Sequence, residues 1–114
     1  MPKYRARSRR EILIAGAAGL AALPLPSLAA APIRIGFSMS LTGGLAGGGK
    51  MALLAFEVWR DEINAKGGLL GRPVQLVSYD DQSNPALVPG IYAKLLDIDK
   101  VDLVVSAFAT NQIV

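Results

Sequence analysis

The residues best suited to chemistry lie in three short segments, each directly after a predicted strand. A glycine-rich loop runs from Ser40 to Gly49, two carboxylates stand side by side at Asp80 and Asp81, and a third loop spans residues 106–111. In open parallel sheets, ligands bind beyond the carboxyl ends of the strands. The first and third loops also lead into predicted helices, whose unpaired N–H groups and dipole favour an anion. These residues therefore predict a site for a carboxylate or a phosphate.

The glycine-rich loop admits nucleotide-binding interpretations and a purely structural one. Residues 44–50 (GLAGGGK) have the spacing of a phosphate-binding P-loop, and residues 47–52 (GGGKMA) fit a looser dinucleotide-binding pattern. A P-loop continues with Ser or Thr, whose hydroxyl binds magnesium, whereas Met51 stands at that position. The structural alternative is that the glycines only let the backbone turn. A P-loop-like nucleotide-binding enzyme stays as an alternative hypothesis, and Met51 counts against it.

Asp80 and Asp81 are candidates for a catalytic or metal-binding pair. Neighbouring residues at the end of a strand point in opposite directions. An aspartate in such a place also commonly organises its own loop through hydrogen bonds to nearby N–H groups. We therefore expect a structural role for both residues.

The composition excludes several classes of chemistry. The chain has no cysteine and no histidine, so it lacks the residues for disulfides, thiolate or zinc sites, lipid attachment at a cysteine, and histidine-assisted nucleophilic catalysis. We predict that the protein is not an enzyme and has no cofactor and no metal site.

Charge and hydropathy divide the chain into a leader, residues 1–30, and a body, residues 31–114. The net charge of +3 comes from the leader, because the body has seven basic and eight acidic residues. The body therefore has no excess of basic residues that would favour nucleic acid, and no nucleic-acid partner is expected.

The leader has a cationic start, an apolar middle and small residues at its end, as export signals do. Residues 8–13 (SRREIL) resemble a twin-arginine signal with Ile in place of the usual Phe, and the general secretion route is the alternative. Pro24 and Pro26 cut the apolar stretch to about half of the roughly 20 residues that a membrane anchor needs. Cleavage is expected near Ala29 or Ala30, which predicts a periplasmic protein that uses the export machinery.

The body alternates strands and helices. Strands are predicted at about 33–40, 74–79 and 101–107, and helices at about 50–66 and 85–97. Such alternation is typical of an α/β fold, in which a parallel sheet has helices on both faces. Three strands and two helices do not complete such a sheet, so we expect a fragment of a larger domain.

The first helix is predicted to bury one apolar face, and the third strand to be buried on both faces. In the third strand, residues 103–105 (LVV) form a nearly unbroken apolar run. Phe56 and Trp59 are expected to pack against the core rather than to recognise a ligand. The residues assigned to the apolar face of the helix are Met51, Leu54, Ala55, Val58, Trp59 and Ile63, and those assigned to its polar face are Lys50, Glu57, Asp61 and Asn64.

Three segments of the body resemble the branched-chain amino-acid and amide receptors that serve ABC importers. The opening residues 33–43 (IRIGFSMSLTG) are similar to the start of those receptors, and residues 62–74 (EINAKGGLLGRPV) match their helix end and turn almost residue for residue. Residues 79–85 (YDDQSNP) resemble the loop after their second strand. The likeness extends from Ile33 to Asn111.

The resemblance implies a type I periplasmic-binding fold, of which this chain would be the first part of the first lobe. It implies binding without bond chemistry: a receptor for an amino acid, amide or related small carboxylate, working with an ABC permease in the inner membrane. A sensory or regulatory protein of the same fold is the alternative, and genomic neighbourhood would separate the two. The residues that the resemblance implies in ligand binding are Thr110, which would hold the carboxylate, its neighbours Phe108, Ala109 and Asn111, and Ser40, Thr42 and Gly43 in the cleft wall.

Overall fold

The computed structural model describes residues 30–113, so the predictions for the leader, apart from Ala30, lie outside the described residues. Five main elements and two short turns follow one another along the chain. They are strand β1 (Ile33–Met39), helix α1 (Ala46–Ala65), strand β2 (Val74–Asp80), a 3-10 turn (Pro85–Leu87), helix α2 (Val88–Asp97), strand β3 (Leu103–Val104) and a second 3-10 turn (Thr110–Gln112). No helix of the described part is long and apolar enough to cross a membrane.

The three strands form one parallel sheet in the order β2-β1-β3. Successive side chains of a strand point to opposite faces, and β1 shows which helix covers each face. Phe37 stacks on Phe56 of α1, with ring centroids 4.7 Å apart. Gly36 instead faces Leu95 of α2, because a Cβ at Gly36 would lie 2.9 Å from the Leu95 side chain. The predicted α/β fold with a parallel sheet and helices on both faces is confirmed.

The glycine-rich loop is shorter than the sequence predicts, because α1 already begins at Ala46. Gly47, Gly48 and Gly49 are therefore helical, although each glycine costs a helix about 1 kcal/mol relative to alanine. Gly49 packs so closely on β1 that a Cβ there would collide with the carbonyl oxygen of Ser40. The alternative that these glycines only let the backbone turn does not account for Gly49, which is needed for close contact between α1 and the Ser40 backbone.

The predicted apolar face of α1 is only partly correct. Met51, Leu54 and Val58 are 69 %, 53 % and 50 % exposed. The side of α1 that faces the sheet instead contains Phe56 and Asn64, and the side chain of Asn64 hydrogen-bonds to the backbone of β2. Asn64 had been assigned to the polar, outward face. The side of α1 that meets the sheet therefore includes the polar residue Asn64 as well as the apolar residue Phe56.

A shallow apolar cavity lies beside α1. It has a volume of about 450 Å³ and is lined by Ile35, Ala55, Phe56, Trp59 and Val105. Phe56 takes part in the core as predicted, through its stacking on β1. The Trp59 side chain borders the cavity and stays 37 % exposed, so its packing is less complete than expected.

Strand β3 is shorter and more exposed than predicted. Only Leu103 and Val104 have strand geometry, where a strand over 101–107 was expected. They are 56 % and 43 % exposed, so the prediction of burial on both faces is wrong. β3 is hydrogen-bonded to β1 on one side and forms an edge of the described sheet, which explains why an apolar run remains accessible.

The connections between elements follow the sequence closely. α1 ends at Ala65, and Gly67 and Gly68 adopt positive φ angles of 102° and 81°, as expected for a glycine cap. The Asn84 side chain accepts a hydrogen bond from the Ala86 N–H, so the predicted helix cap is confirmed. The first turn after this cap is 3-10, and α2 proper begins at Val88.

Candidate functional site

The carboxyl ends of the three parallel strands lie at one edge of the sheet, and all three candidate loops start there. The first loop, residues 40–45, follows β1, and the second, residues 81–84, follows β2, which ends at Asp80. The third loop, residues 105–109, follows β3 and leads into the Thr110–Gln112 turn. The fold therefore places the three loops at the edge of the sheet where the site was expected.

Asp80 ties the first loop to the second. Its carboxylate accepts hydrogen bonds from the Leu41 N–H at 2.9 Å, the Thr42 hydroxyl at 2.7 Å and the Gln82 N–H at 2.8 Å. The Thr42 hydroxyl bond is the largest cause that lowers the pKa of Asp80 below its ordinary value, and the N–H bonds add to it. Asp80 is thus an acceptor that fixes the backbone of the first loop.

Ser83 and Gly43 complete this tie. The Ser83 hydroxyl donates to the Thr42 carbonyl at 2.6 Å and accepts from the Leu45 N–H at 3.0 Å. Gly43 has φ 82°, and a Cβ there would lie 2.8 Å from the carbonyl oxygen of Gln82. Gly43 is therefore required both by its backbone conformation and by the close approach of the second loop.

Asp81 lies beneath the same loops and has no exposed surface. Its carboxyl group accepts hydrogen bonds from the hydroxyls of Ser38 and Ser40, at 2.7 Å and 2.6 Å, and from the Ser83 N–H at 3.0 Å. Both aspartates therefore organise loops, as expected. The Ser40 side chain is also fully buried, so its predicted contribution to a ligand would have to come through this support.

The third loop is fixed to the fold by different contacts. The Phe108 ring lies over Gly48 of α1, where a Cβ would approach the ring to 2.7 Å. Tyr92 of α2 donates its hydroxyl to the Val105 carbonyl, and desolvation by burial raises the pKa of Tyr92. Ala109 has φ 72°, a conformation that L-residues seldom adopt.

The seven predicted ligand residues fall into two groups. Ser40, Thr42 and Gly43 lie in the first loop, which contacts the second loop. Phe108 connects the third loop to the start of α1. Thr110 and Asn111 are exposed. Among residues 30–113, no hydrogen bond joins the third loop to the first. The hydroxyls of Ser40 and Thr42 already donate to Asp81 and Asp80, whereas the exposed Thr110 can offer its hydroxyl to an anion.

The geometry does not support nucleotide binding through the glycines. A P-loop wraps its backbone N–H groups around phosphates ahead of a helix, whereas Gly47–Gly49 are already inside α1. Gly48 and Gly49 are in close contact with Phe108 and with the Ser40 backbone, which leaves no room for a phosphate at these positions. Within the described part of the chain, no group of three or more potential metal ligands comes together.

Sequence reasoning missed three residues that shape the site. Ser38 and Ser83 hold the buried carboxyl group, and Tyr92 supports the third loop. Ser38 stands between the apolar residues Phe37 and Met39 of β1 and therefore points to the other face of the sheet. That alternation was the available signal. The sequence carries no comparable signal for Tyr92, because its partner is a backbone carbonyl.

A parallel α/β sheet with its candidate ligand loops at the carboxyl edge defines a class of ligand-binding domains. Within that class, residues 32–113 match the sequence model of the family described as periplasmic binding protein. The chain belongs to the periplasmic binding protein family. The expected resemblance and type I periplasmic-binding fold are confirmed by this match and by the solved structures below.

Individual relatives agree with this assignment. The Leu/Ile/Val-binding protein BraC3 of Rhizobium johnstonii is 41 % identical over 66 residues, which are 58 % of this chain and 18 % of the relative. The branched-chain amino acid transporter substrate binding protein LivJ of Streptococcus pneumoniae, solved with isoleucine, is 31 % identical with a TM-score of 0.68. That likeness covers 71 % of this chain and 23 % of LivJ.

A third relative differs in the ligand that its name states. The fatty acid ABC transporter substrate-binding protein of Thermomonospora curvata is 26 % identical with a TM-score of 0.66, over 76 % of this chain and 22 % of that protein. The chain thus spans about a fifth of the length of the relatives that it matches.

Proposed function

We propose that this chain is the ligand-contacting start of an extracytoplasmic solute receptor that serves an ABC importer. The observation that carries the proposal is the pair of loops after β1 and β2, which hydrogen bonds join at the carboxyl edge of a periplasmic-binding sheet. Receptors of this kind bind without bond chemistry, because closure of two lobes removes water and fixed donors match the ligand's polar groups.

The proposed ligand is a small molecule with a carboxylate and an apolar part. Isoleucine, present in the pneumococcal structure, and fatty acids, named for the Thermomonospora protein, share those two features. In this chain, Thr110 is exposed at the start of its turn, where its hydroxyl and the adjacent N–H groups are available to a carboxylate. Thr42 and Gly43 would form the wall on the other side.

We further propose that residues 1–30 are an export signal removed near Ala29 or Ala30, so that the receptor works in the periplasm. Its partners would be the export machinery and, after folding, an ABC permease of the inner membrane. The twin-arginine pair and the apolar stretch closed by Pro24 support this part of the proposal.

The proposal is tested in a receptor with both lobes. Residues 32–113 replace the structurally equivalent segment of the pneumococcal LivJ receptor, and calorimetry measures isoleucine binding. Thr110→Gly should lower the affinity about tenfold or more, because it removes a hydrogen bond to a charged group. Thr110→Ser keeps the hydroxyl and should restore most of the affinity.

Two results would count against the proposal. Equal affinities for the chimera and its Thr110→Gly variant would remove Thr110 from the site. A folded chimera that binds no carboxylate ligand, while unmodified LivJ binds isoleucine in the same assay, would show that this wall is unsuited to the proposed ligand.

A further inference from the structure

Helix α1 is apolar on the side that faces away from the sheet as well as on the side that meets it. Met51, Leu54 and Val58 are all exposed. Their spacing places them along one side of a helix with 3.6 residues per turn, opposite to Phe56, which stacks on the sheet. A surface helix normally carries polar residues on its outward side. These three residues, the α1 stripe, therefore indicate a surface that another molecule covers.

The α1 stripe is continuous with the apolar cavity beside the sheet. Ala55 and Trp59 are exposed neighbours of Leu54 and Val58, and both of them line that cavity. Apolar residues that are exposed singly are common on protein surfaces, whereas a contiguous apolar patch marks a site of interaction. The stripe and the cavity form one such patch.

Further elements of the same sheet would not cover the α1 stripe. In an α/β fold the helices of one face lie side by side, each directly on the sheet. Strands added beyond β3 would bring helices next to α1, above the cavity. The stripe points away from the sheet, because the opposite side of α1, with Phe56 and Asn64, contacts β1 and β2. The molecule that covers the stripe is therefore a separate one.

The charges beside the stripe fit a second copy of α1 in the antiparallel direction. Lys50 and Asp61 are exposed, and eleven positions make almost three full turns, so both lie along the same edge, about 16 Å apart. In an antiparallel pair, Lys50 of each copy meets Asp61 of the other, and Leu54 lies opposite Val58. A parallel pair would bring like charges together. Asp61 uses Oδ1 to accept from Arg60, so Oδ2 can meet the lysine.

We propose that the α1 stripe is the contact surface for a second copy of this chain, packed antiparallel about a two-fold axis beside residues 55 and 56. The same surface is used by both copies, as in most homodimers. The apolar stripe supplies the affinity, and the charged rim sets the orientation. One helix pair buries less area than a stable dimer needs, so we expect a Kd on the order of 10–100 μM.

The first test measures self-association of the full 114-residue chain by sedimentation equilibrium, over about 1–500 μM to bracket the expected Kd. Leu54→Glu should weaken association at least about tenfold, because it places a charge in the centre of the apolar contact. Leu96→Glu is the matched control and should leave association unchanged. Leu96 is 52 % exposed and Leu54 53 %, but Leu96 belongs to α2 on the other face of the sheet.

The second test determines the orientation of the two copies. The chain has no cysteine, so an introduced thiol can pair only with another introduced thiol. Lys50→Cys and Asp61→Cys are purified separately, mixed in equal amounts under reducing conditions and then oxidised. The antiparallel contact should give mainly the mixed disulfide between the two variants, which mass spectrometry distinguishes from the two symmetric disulfides.

Three results would overturn the inference. The first is an original chain that stays monomeric over the whole concentration range. The second is association that Leu54→Glu leaves intact or that Leu96→Glu weakens equally, because the contact would then lie outside the α1 stripe. The third is a yield of symmetric disulfides as high as that of the mixed one. Neither experiment contains a solute, so failure of the receptor function would leave both results unchanged.

Discussion

Replacing Asp81 should lower the free energy of unfolding, because this residue supports the loops of the candidate site. The residue is fully buried and accepts hydrogen bonds from Ser38, Ser40 and the Ser83 N–H. A buried donor left without a partner costs about 1–3 kcal/mol, so Asp81→Ala, which strands the two buried serine hydroxyls, should cost about 2–6 kcal/mol. That loss approaches the total stability of a small domain, about 5–15 kcal/mol. Asp81→Asn keeps the volume and one acceptor oxygen, and we expect it to cost about 1–3 kcal/mol.

The assay is equilibrium unfolding of the 114-residue chain in urea, followed by circular dichroism and by fluorescence of Trp59, the single tryptophan. Asp61→Asn is the matched control, because Asp61 is an exposed partner of Arg60 and such pairs contribute about 0–1 kcal/mol. If Asp81→Asn destabilises no more than Asp61→Asn, the reasoning is wrong. A double-mutant cycle with Ser38→Ala should show coupling, since the two residues share one hydrogen bond.

Three further perturbations test other parts of the fold by the same unfolding assay. Phe37→Ala should cost about 3–5 kcal/mol, because it empties a fully buried ring position; a cost below about 1 kcal/mol would contradict the described core. Because burial raises the pKa of Tyr92 above its ordinary value of 10.0, the stability it provides should be complete below pH 10 and fall as pH rises further. Tyr92→Phe should abolish that alkaline component and lose the bond to Val105. Because the pKa of Asp80 is lowered from 3.8, chiefly by the Thr42 hydroxyl, its contribution should be present above pH 3.8 and vanish at lower pH. Asp80→Asn should therefore differ from the original chain at pH 7 and converge with it in strong acid.

The first two strands and the site edge were predictable because their signals are local. Alternating apolar residues marked β1, and polar residues after β1 and β2 marked the loops. In parallel sheets those facts are enough to bring the loops to one edge. The Asn84 cap was equally readable, because the residue type and the following Pro85 are both typical of a helix start.

The orientation of α1 was not predictable in the same way. The helix has apolar residues both on its sheet-facing side, at Phe56, and on the flank, at Leu54 and Val58. A period of 3.6 residues identifies an apolar stripe but not which edge of a wide stripe meets the sheet. Local propensity also opposes helix at Gly47–Gly49, and close packing against the Ser40 backbone overrides it.

The polar support of the site was hidden for another reason. Asp81 accepts hydrogen bonds from Ser38 and Ser40, which precede it in the chain by 43 and 41 positions. No spacing in the sequence indicates pairs that are so far apart. Their partners become evident only when β1 and β2 lie side by side in a known register. The candidate loops could therefore be named from the sequence, while the contacts that make them rigid could not.

The two adjacent aspartates also favour one alignment of β1 and β2 over the others. Asp80 reaches the outer loop and Asp81 the buried serines, so a slip of one residue between β1 and β2 would bring Tyr79 or Gln82 to one of these two positions. The outer loop or the buried hydroxyls would then lose their carboxylate acceptor. A misaligned sheet would therefore be less stable than the described one, because it leaves buried polar groups without partners.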